Sequence, residues 1–206
     1  MKIIKFENRE NLEKKLLETD KEFKRLFIGI NLEKEICEYF HKLTLDLSKI
    51  NKDVRVIPPQ NVHITLKFLG NIKKEDIDII YENIGRSLKG FKSFVFDLNN
   101  ILDGFPRLSA ARILFGTIGS GSEEMENLFI KVKEGISKIG IDREEKRFIP
   151  HFTLARMKFP INFAGMLENI KIEEFKNIKC SKIILFESIL SRKGPEYLIE
   201  KEYVLS

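Results

Sequence analysis

Apolar positions along this chain change period repeatedly, dividing it into alternating strands and helices. Arg25–Asn31 is a nearly continuous apolar run of strand length. From Glu33 to Ile50 the apolar residues Ile36, Phe40, Leu43 and Leu47 recur at three- and four-residue spacing and predict an amphipathic helix. Val54–Ile57 predicts a short strand stopped by Pro58-Pro59, where two backbone donors are missing. Val62–Leu69 predicts a strand ending at Gly70, with a second helix from about Lys73 to Leu88. Further strands are expected at Phe94–Asn100 and Arg112–Ile118, and a helix at Glu123–Ile139. Ser120 and Glu123, just before that helix, have the spacing of a capping box. The remainder reads as a strand at Arg147–Leu154, a short helical piece at Phe163–Ile170, and closing strands at Cys180–Leu190 and Tyr197–Leu205. Ahead of Arg25, Met1–Phe6 has the pattern of a short strand and Asn8–Phe23 that of a charged helix, with Leu12, Leu16 and Phe23 on or near one side.

Two of the predicted strands carry nearly the same phrase, His63-Ile-Thr-Leu-Lys and His151-Phe-Thr-Leu-Ala, and the chain has only 3 histidines. Because side chains alternate along a strand, His63, Thr65 and Lys67 fall on one surface and Ile64, Leu66 and Phe68 on the other. His151 and Thr153 are laid out in the same way. Each phrase therefore offers an apolar row to a core and an imidazole with a hydroxyl to the opposite side, a pairing suited to proton transfer beside an oxyanion. Two such strands facing each other supply one acid and one base. From the residues alone the roles of His63 and His151 are interchangeable. The third histidine, His41, lies in the first predicted helix and reads as a solvated surface residue.

Two rounds of strand and helix material, each contributing one of these strands, suggest two pseudo-symmetric lobes facing across a groove. No Pro/Gly/Ser-rich linker separates the halves, so residues 25–206 read as one bilobal domain and 1–24 as an N-terminal extension. With 206 residues, 43% of them hydrophobic, the chain has enough apolar material for a substantial core. The formal net charge of +5, from 36 basic against 31 acidic residues, tolerates a polyanionic partner without demanding one. Cys37 and Cys180 stand alone in sequence, without a Cys-x-x-Cys pair or a histidine cluster, so neither a zinc site nor a disulfide framework is indicated. No apolar stretch approaches the roughly 18 residues of a membrane span. The expectation is a soluble, monomeric, cytoplasmic enzyme with no cofactor and no metal. Gly119-Ser-Gly-Ser lacks the Gly-Lys-Ser/Thr ending of a nucleotide-binding loop.

The chain resembles the two-histidine phosphoesterases, and among them the RNA 2′,3′-cyclic phosphodiesterases, also called 2′-5′ RNA ligases. The likeness is carried by Arg25-Leu-Phe-Ile-Gly-Ile, Asn61-Val-His-Ile-Thr-Leu-Lys-Phe-Leu-Gly70, Ala111-Arg-Ile-Leu-Phe-Gly116, Phe148-Ile-Pro-His-Phe-Thr-Leu-Ala-Arg156 and the closing Leu190…Gly194-Pro-Glu-Tyr197, in that order. The resemblance implies two α+β lobes with antiparallel sheets lining the cleft and helices outside. It also implies hydrolysis of RNA 2′,3′-cyclic phosphate ends, tRNA halves among such RNAs, and ATP-independent 2′-5′ ligation as the reverse. It makes His63 the proton donor to the departing 3′ oxygen and His151 the proton acceptor from water, with Thr65 and Thr153 on the phosphate. Lys67, Arg112, Arg156 and Tyr197 are further candidate substrate contacts; Arg156 would fall on the wrong face of an ideal strand unless the strand ends or twists before it. Two other readings remain open: a phosphodiesterase for small cyclic phosphates on nucleotides or ADP-ribose derivatives, and a non-catalytic RNA- or nucleotide-binding module.

Overall fold

The computed structural model describes residues 22–137, 139–140, 147–191 and 194–206. Among them nine strands form one sheet: β1 (Phe23–Asn31), β2 (Val54–Val56), β3 (His63–Lys73), β4 (Phe94–Phe105), β5 (Ala111–Ile118), β6 (His151–Ile161), β7 (Phe175–Cys180), β8 (Lys182–Ser191) and β9 (Gly194–Val204). Helices α1 (Lys34–Ile50), α2 (Ile77–Ser87), α3 (Ser122–Ser137) and the single turn α4 (Ala164–Leu167) complete the architecture. The strand order is β7-β4-β5-β6-β3-β1-β8-β9, with β2 also beside β6, and the pairings are antiparallel. No described helix is long and apolar enough to cross a membrane.

The sheet is a five-stranded half, β2 included, and a four-stranded half, meeting at a seam. β3 and β6 share a single ladder pair, Ile64 with Phe152, whereas β1–β3 and β5–β6 are paired along most of their length. The two motif strands thus lie side by side at the centre, each hydrogen-bonded mainly to its own half. The sequence β1-α1-β3 is echoed by β5-α3-β6, and the helices are exchanged: α1 packs on β2 and β6, and α3 on β3. Phe40 of α1 meets Phe152 of β6 with ring centroids 4.8 Å apart. One buried cluster therefore runs through both halves, combining Leu26, Ile28 and Ile64 with Leu114, Phe152 and Leu154, and covering them with Phe40, Ile84 and Val132 from the helices. This fixes the helical face of the sheet and leaves the other face to the cleft.

Several sequence expectations are revised. β7 has no counterpart among the predicted strands; Phe-Lys-Asn-Ile-Lys-Cys pairs with β4 at the sheet edge, where exposed lysines hide its pattern. Ser120 is not a helix cap: α3 starts at Ser122, and the Ser120 hydroxyl donates to Asp97 Oδ2 at 2.6 Å. His41 is half-buried rather than solvated, its Nδ1–H donating to the Ile57 carbonyl at 3.0 Å and tying α1 to the end of β2. The strand expected at 1–6 and the helix expected at 8–23 lie outside the described residues except at Glu22, which is helical, and Phe23, which already belongs to β1.

Candidate active site

The two motifs are built by the same backbone device. In β3 the register passes from Gly29–Thr65 to Ile28–Lys67, leaving Leu66 as an extra residue; in β6 it passes from Phe115–Thr153 to Leu114–Ala155, leaving Leu154 extra. The leucine of each His-x-Thr-Leu phrase is thus a β-bulge. One inserted residue reverses the alternation beyond it. His63 and Thr65 face the cleft as expected, but Lys67 stands opposite the core residue Ile28 and is only 5% exposed, while Phe68 emerges on the cleft side, 57% exposed. The expected face assignment of Lys67 and Phe68 is therefore corrected by the bulge. The same slip buries Ala155 and brings Arg156 out to the cleft, removing the strand-face objection to that arginine.

At the seam the antiparallel pair Ile64–Phe152 stands between His63 and Thr65 on one strand and between His151 and Thr153 on the other, so the four motif residues flank one ladder pair. Both imidazoles are held alike. His63 Nδ1–H donates to the Asn61 carbonyl at 2.8 Å, and His151 Nδ1–H to the Ile149 carbonyl at 2.7 Å. A carbonyl can only accept, so each ring carries its neutral-state proton on Nδ1 and leaves Nε2 for chemistry. The Thr65 hydroxyl donates to His63 Nε2 at 3.0 Å.

The surroundings of the two histidines differ. His63 lies over Gly29, where a Cβ would come within 2.8 Å of the Ile64 carbonyl oxygen and 3.4 Å of the His63 ring. The ring settles among Phe27 (4.9 Å between centroids), Tyr197 (5.2 Å, edge-on) and Phe186 (6.1 Å). The residue equivalent to Gly29 in the other half is Phe115, whose ring occupies the corresponding space 5.1 Å from His151. Burial pushes the His63 pKa down to about 4; the Asn61 carbonyl opposes that shift, and the charges of Arg156 and His151 add to it. Burial likewise raises the Tyr197 phenol, against the nearby Arg156 and Arg25 charges.

The cleft has two connected halves. A space of about 430 Å³ beside His63 is bordered by Arg25, Asn61, Leu190 and Tyr197, and one of about 330 Å³ beside His151 by Lys67, Phe105, Arg147 and Phe148. Thr65, Phe68, Thr153 and Arg156 border both. No acidic residue is among the described residues lining either half, while Arg25, Arg147 and Arg156 are. That is an anion-selective surface. Of the residues expected from sequence, the structure brings His63, Thr65, His151, Thr153, Arg156 and Tyr197 to the groove, with Lys67 buried in its wall. Arg112 is exposed and borders neither half. Arg25, Asn61 and Phe68 join the site without a sequence signal of their own beyond lying within the motifs quoted above. Asn61, 8% exposed, donates from Nδ2 to the Pro195 carbonyl at 2.7 Å, a link across 134 residues that sequence spacing does not reveal.

Comparison with known proteins agrees with this construction. Residues 30–105, which include the first motif, match the LigT-like phosphoesterase family. An RNA 2′,3′-cyclic phosphodiesterase of Aquifex aeolicus is 30% identical over 187 residues, covering 88% of this chain and 97% of that protein. One of Methanocaldococcus jannaschii is 28% identical over 182 residues, covering 87% and 99%. Among solved structures, a Thermus thermophilus protein superposes with a TM-score of 0.70 at 23% identity over 88% of this chain and 97% of that one, and E. coli LigT complexed with 3′-AMP with 0.69 at 21% over 90% and 99%. At those identities the structural matches speak for the fold. The sequence matches go further, and the chain belongs to the RNA 2′,3′-cyclic phosphodiesterase family of LigT-like, two-histidine phosphoesterases.

Proposed function

We propose that the protein hydrolyses RNA 2′,3′-cyclic phosphate ends to 2′-phosphate ends by acid–base catalysis between His63 and His151, without a metal ion. The observation that supports this reading is the seam pair Ile64–Phe152, which brings the two His-x-Thr strands side by side at a groove whose described lining has no carboxylate. Relatives carrying the activity in their names match over most of their length.

His151 Nε2 takes a proton from water as its oxygen attacks phosphorus. The P–O3′ bond breaks on the opposite side, and O3′ receives the proton from His63 Nε2. Thr65, Thr153 and Arg156 hold the non-bridging oxygens, where charge accumulates. The ring strain of the cyclic diester supplies the driving force, and with a 5′-hydroxyl replacing water the same proton transfers give a 2′-5′ linkage without ATP. The test is an oligoribonucleotide ending in a 2′,3′-cyclic phosphate, incubated in excess chelator beside 2′,3′-cyclic AMP. The expected product is a 2′-phosphate end, and His63→Ala and His151→Ala should each cost about 10²- to 10⁴-fold in kcat. Chelator-sensitive turnover restored by metal would contradict the metal-free reading, and turnover of the mononucleotide alone would shift the substrate to small cyclic phosphates.

A further inference from the structure

We infer that Phe129 of α3 is a positioning residue for His151: its ring holds Phe148, and through Phe148 the Ile149 carbonyl that fixes the imidazole. The inference rests on the proposed acid–base reading, in which His151 takes the proton from water. Both histidines use the same kind of anchor, a carbonyl two residues upstream that accepts from Nδ1. The first anchor is fastened by hydrogen bonds: Asn61 N–H donates to the Pro58 carbonyl at 2.9 Å, Val62 N–H to the Pro59 carbonyl at 3.1 Å, and the Asn61 side chain to Pro195. The second has no such support. Among the described residues no backbone hydrogen bond reaches 147–150, and the Ile149 side chain is 47% exposed.

What holds the second anchor is aromatic. Phe129 and Phe148 are half-buried and stack nearly parallel, with 5° between planes and 4.5 Å between centroids, at the close end of the range for ring pairs. Phe148 also packs against the core. The chain itself passes the grip on: Pro150 biases Ile149 to extended backbone, so a ring fixed at 148 fixes the direction of the 149 carbonyl. Helix α3 packs on β3, the strand that carries His63. Phe129 thereby ties the anchor of one histidine to the half-sheet of the other, across a seam with a single ladder pair. Its ring also borders the groove half beside His151, so the test separates positioning from contact with substrate.

The test combines turnover of an oligoribonucleotide ending in a 2′,3′-cyclic phosphate with ¹⁵N NMR of the imidazoles in the free protein at about pH 8.5. Phe129→Ala should lower kcat about ten-fold with KM kept within about two-fold. It should also move part of the His151 proton from Nδ1 to Nε2 while the His63 tautomer stays as it is. Phe129→Tyr, which keeps the ring, should restore both. A raised KM with kcat kept would make Phe129 a substrate contact, and an unchanged His151 tautomer in Phe129→Ala would overturn the positioning role. Phe129→Leu, apolar but without a ring face, carries the same test if the alanine variant does not fold. If the wild type leaves the RNA end intact, the phosphodiesterase reading fails separately, and the tautomer alone then decides whether Phe129 positions His151.

Discussion

Near-identical phrases give unequal histidines because of the residue beside each. Gly29 lets the His63 ring sink among Phe27, Phe186 and Tyr197, while Phe115 fills the equivalent place beside His151. With its pKa pushed down to about 4, His63 is neutral in the free protein at neutral pH. In its proposed role as proton donor His63 must be charged, and the phosphate anion would supply the compensating interaction, since negative charge beside Nε2 raises the pKa. In an NMR titration His63 should protonate near 4 in the free protein and more than one unit higher with adenosine 2′-monophosphate bound. A free-protein midpoint near the ordinary 6.5 would remove this account. The same shift has a stability sign. The folded-state pKa lies below the unfolded one, so the contribution, on the order of 3 kcal/mol, is present above about 6.5 and lost as pH falls toward 4.

At the scale of elements, the 3₁₀ turn Pro59–Asn61 positions His63 through the Asn61 carbonyl, while the Asn61 side chain fastens the turn to Pro195 at the start of β9. The equivalent carbonyl in the second motif belongs to Ile149, whose side chain is 47% exposed. Asn61→Ala should therefore cost about 0.5–1.5 kcal/mol in urea unfolding, since it removes the hydrogen bond to the Pro195 carbonyl, and should lower kcat as His63 loosens. Ile149→Ala should cost under about 0.5 kcal/mol. Equal effects would mean that the β9 link is idle. The same contrast shows how far the sequence can be read. Alternation locates His63, Thr65, His151 and Thr153 on the cleft face, and helical spacing locates α1 almost to the residue. It fails just beyond the threonines, because one inserted residue at Leu66 and Leu154 leaves no compositional mark yet reverses Lys67, Phe68 and Arg156. Arg112 fails for a plainer reason: an arginine on a strand reads alike whether it faces a groove or open solvent.

For the whole molecule, catalysis needs two half-sheets held at one separation, and the single ladder pair between Ile64 and Phe152 is a thin join for that purpose. The helical layer strengthens it. α1 and α3 pack against the motif strands opposite to the halves they emerge from, and α3 crosses α2 at Gly135. A Cβ at Gly135 would lie 2.8 Å from Ser87 Oγ, 3.0 Å from the Asn83 carbonyl oxygen and 3.2 Å from Ile84 Cα. Two opposing effects decide the outcome of Gly135→Ala. Removing glycine from a helix interior gains about 0.8–1 kcal/mol, whereas overpacking costs about 1–3 kcal/mol. Ser87 Oγ can rotate away, but the Asn83 and Ile84 atoms are backbone of α2 and move only with the helix. The clash should therefore win, and Gly135→Val should exceed Gly135→Ala. Both should lower the urea midpoint in one cooperative transition. Both should also reduce kcat although residue 135 borders neither half of the groove, since spreading α2 and α3 changes the gap between the histidines. Two separate transitions would show that the halves fold independently, and loss of stability with kcat unchanged would show that the helix crossing does not set the catalytic gap.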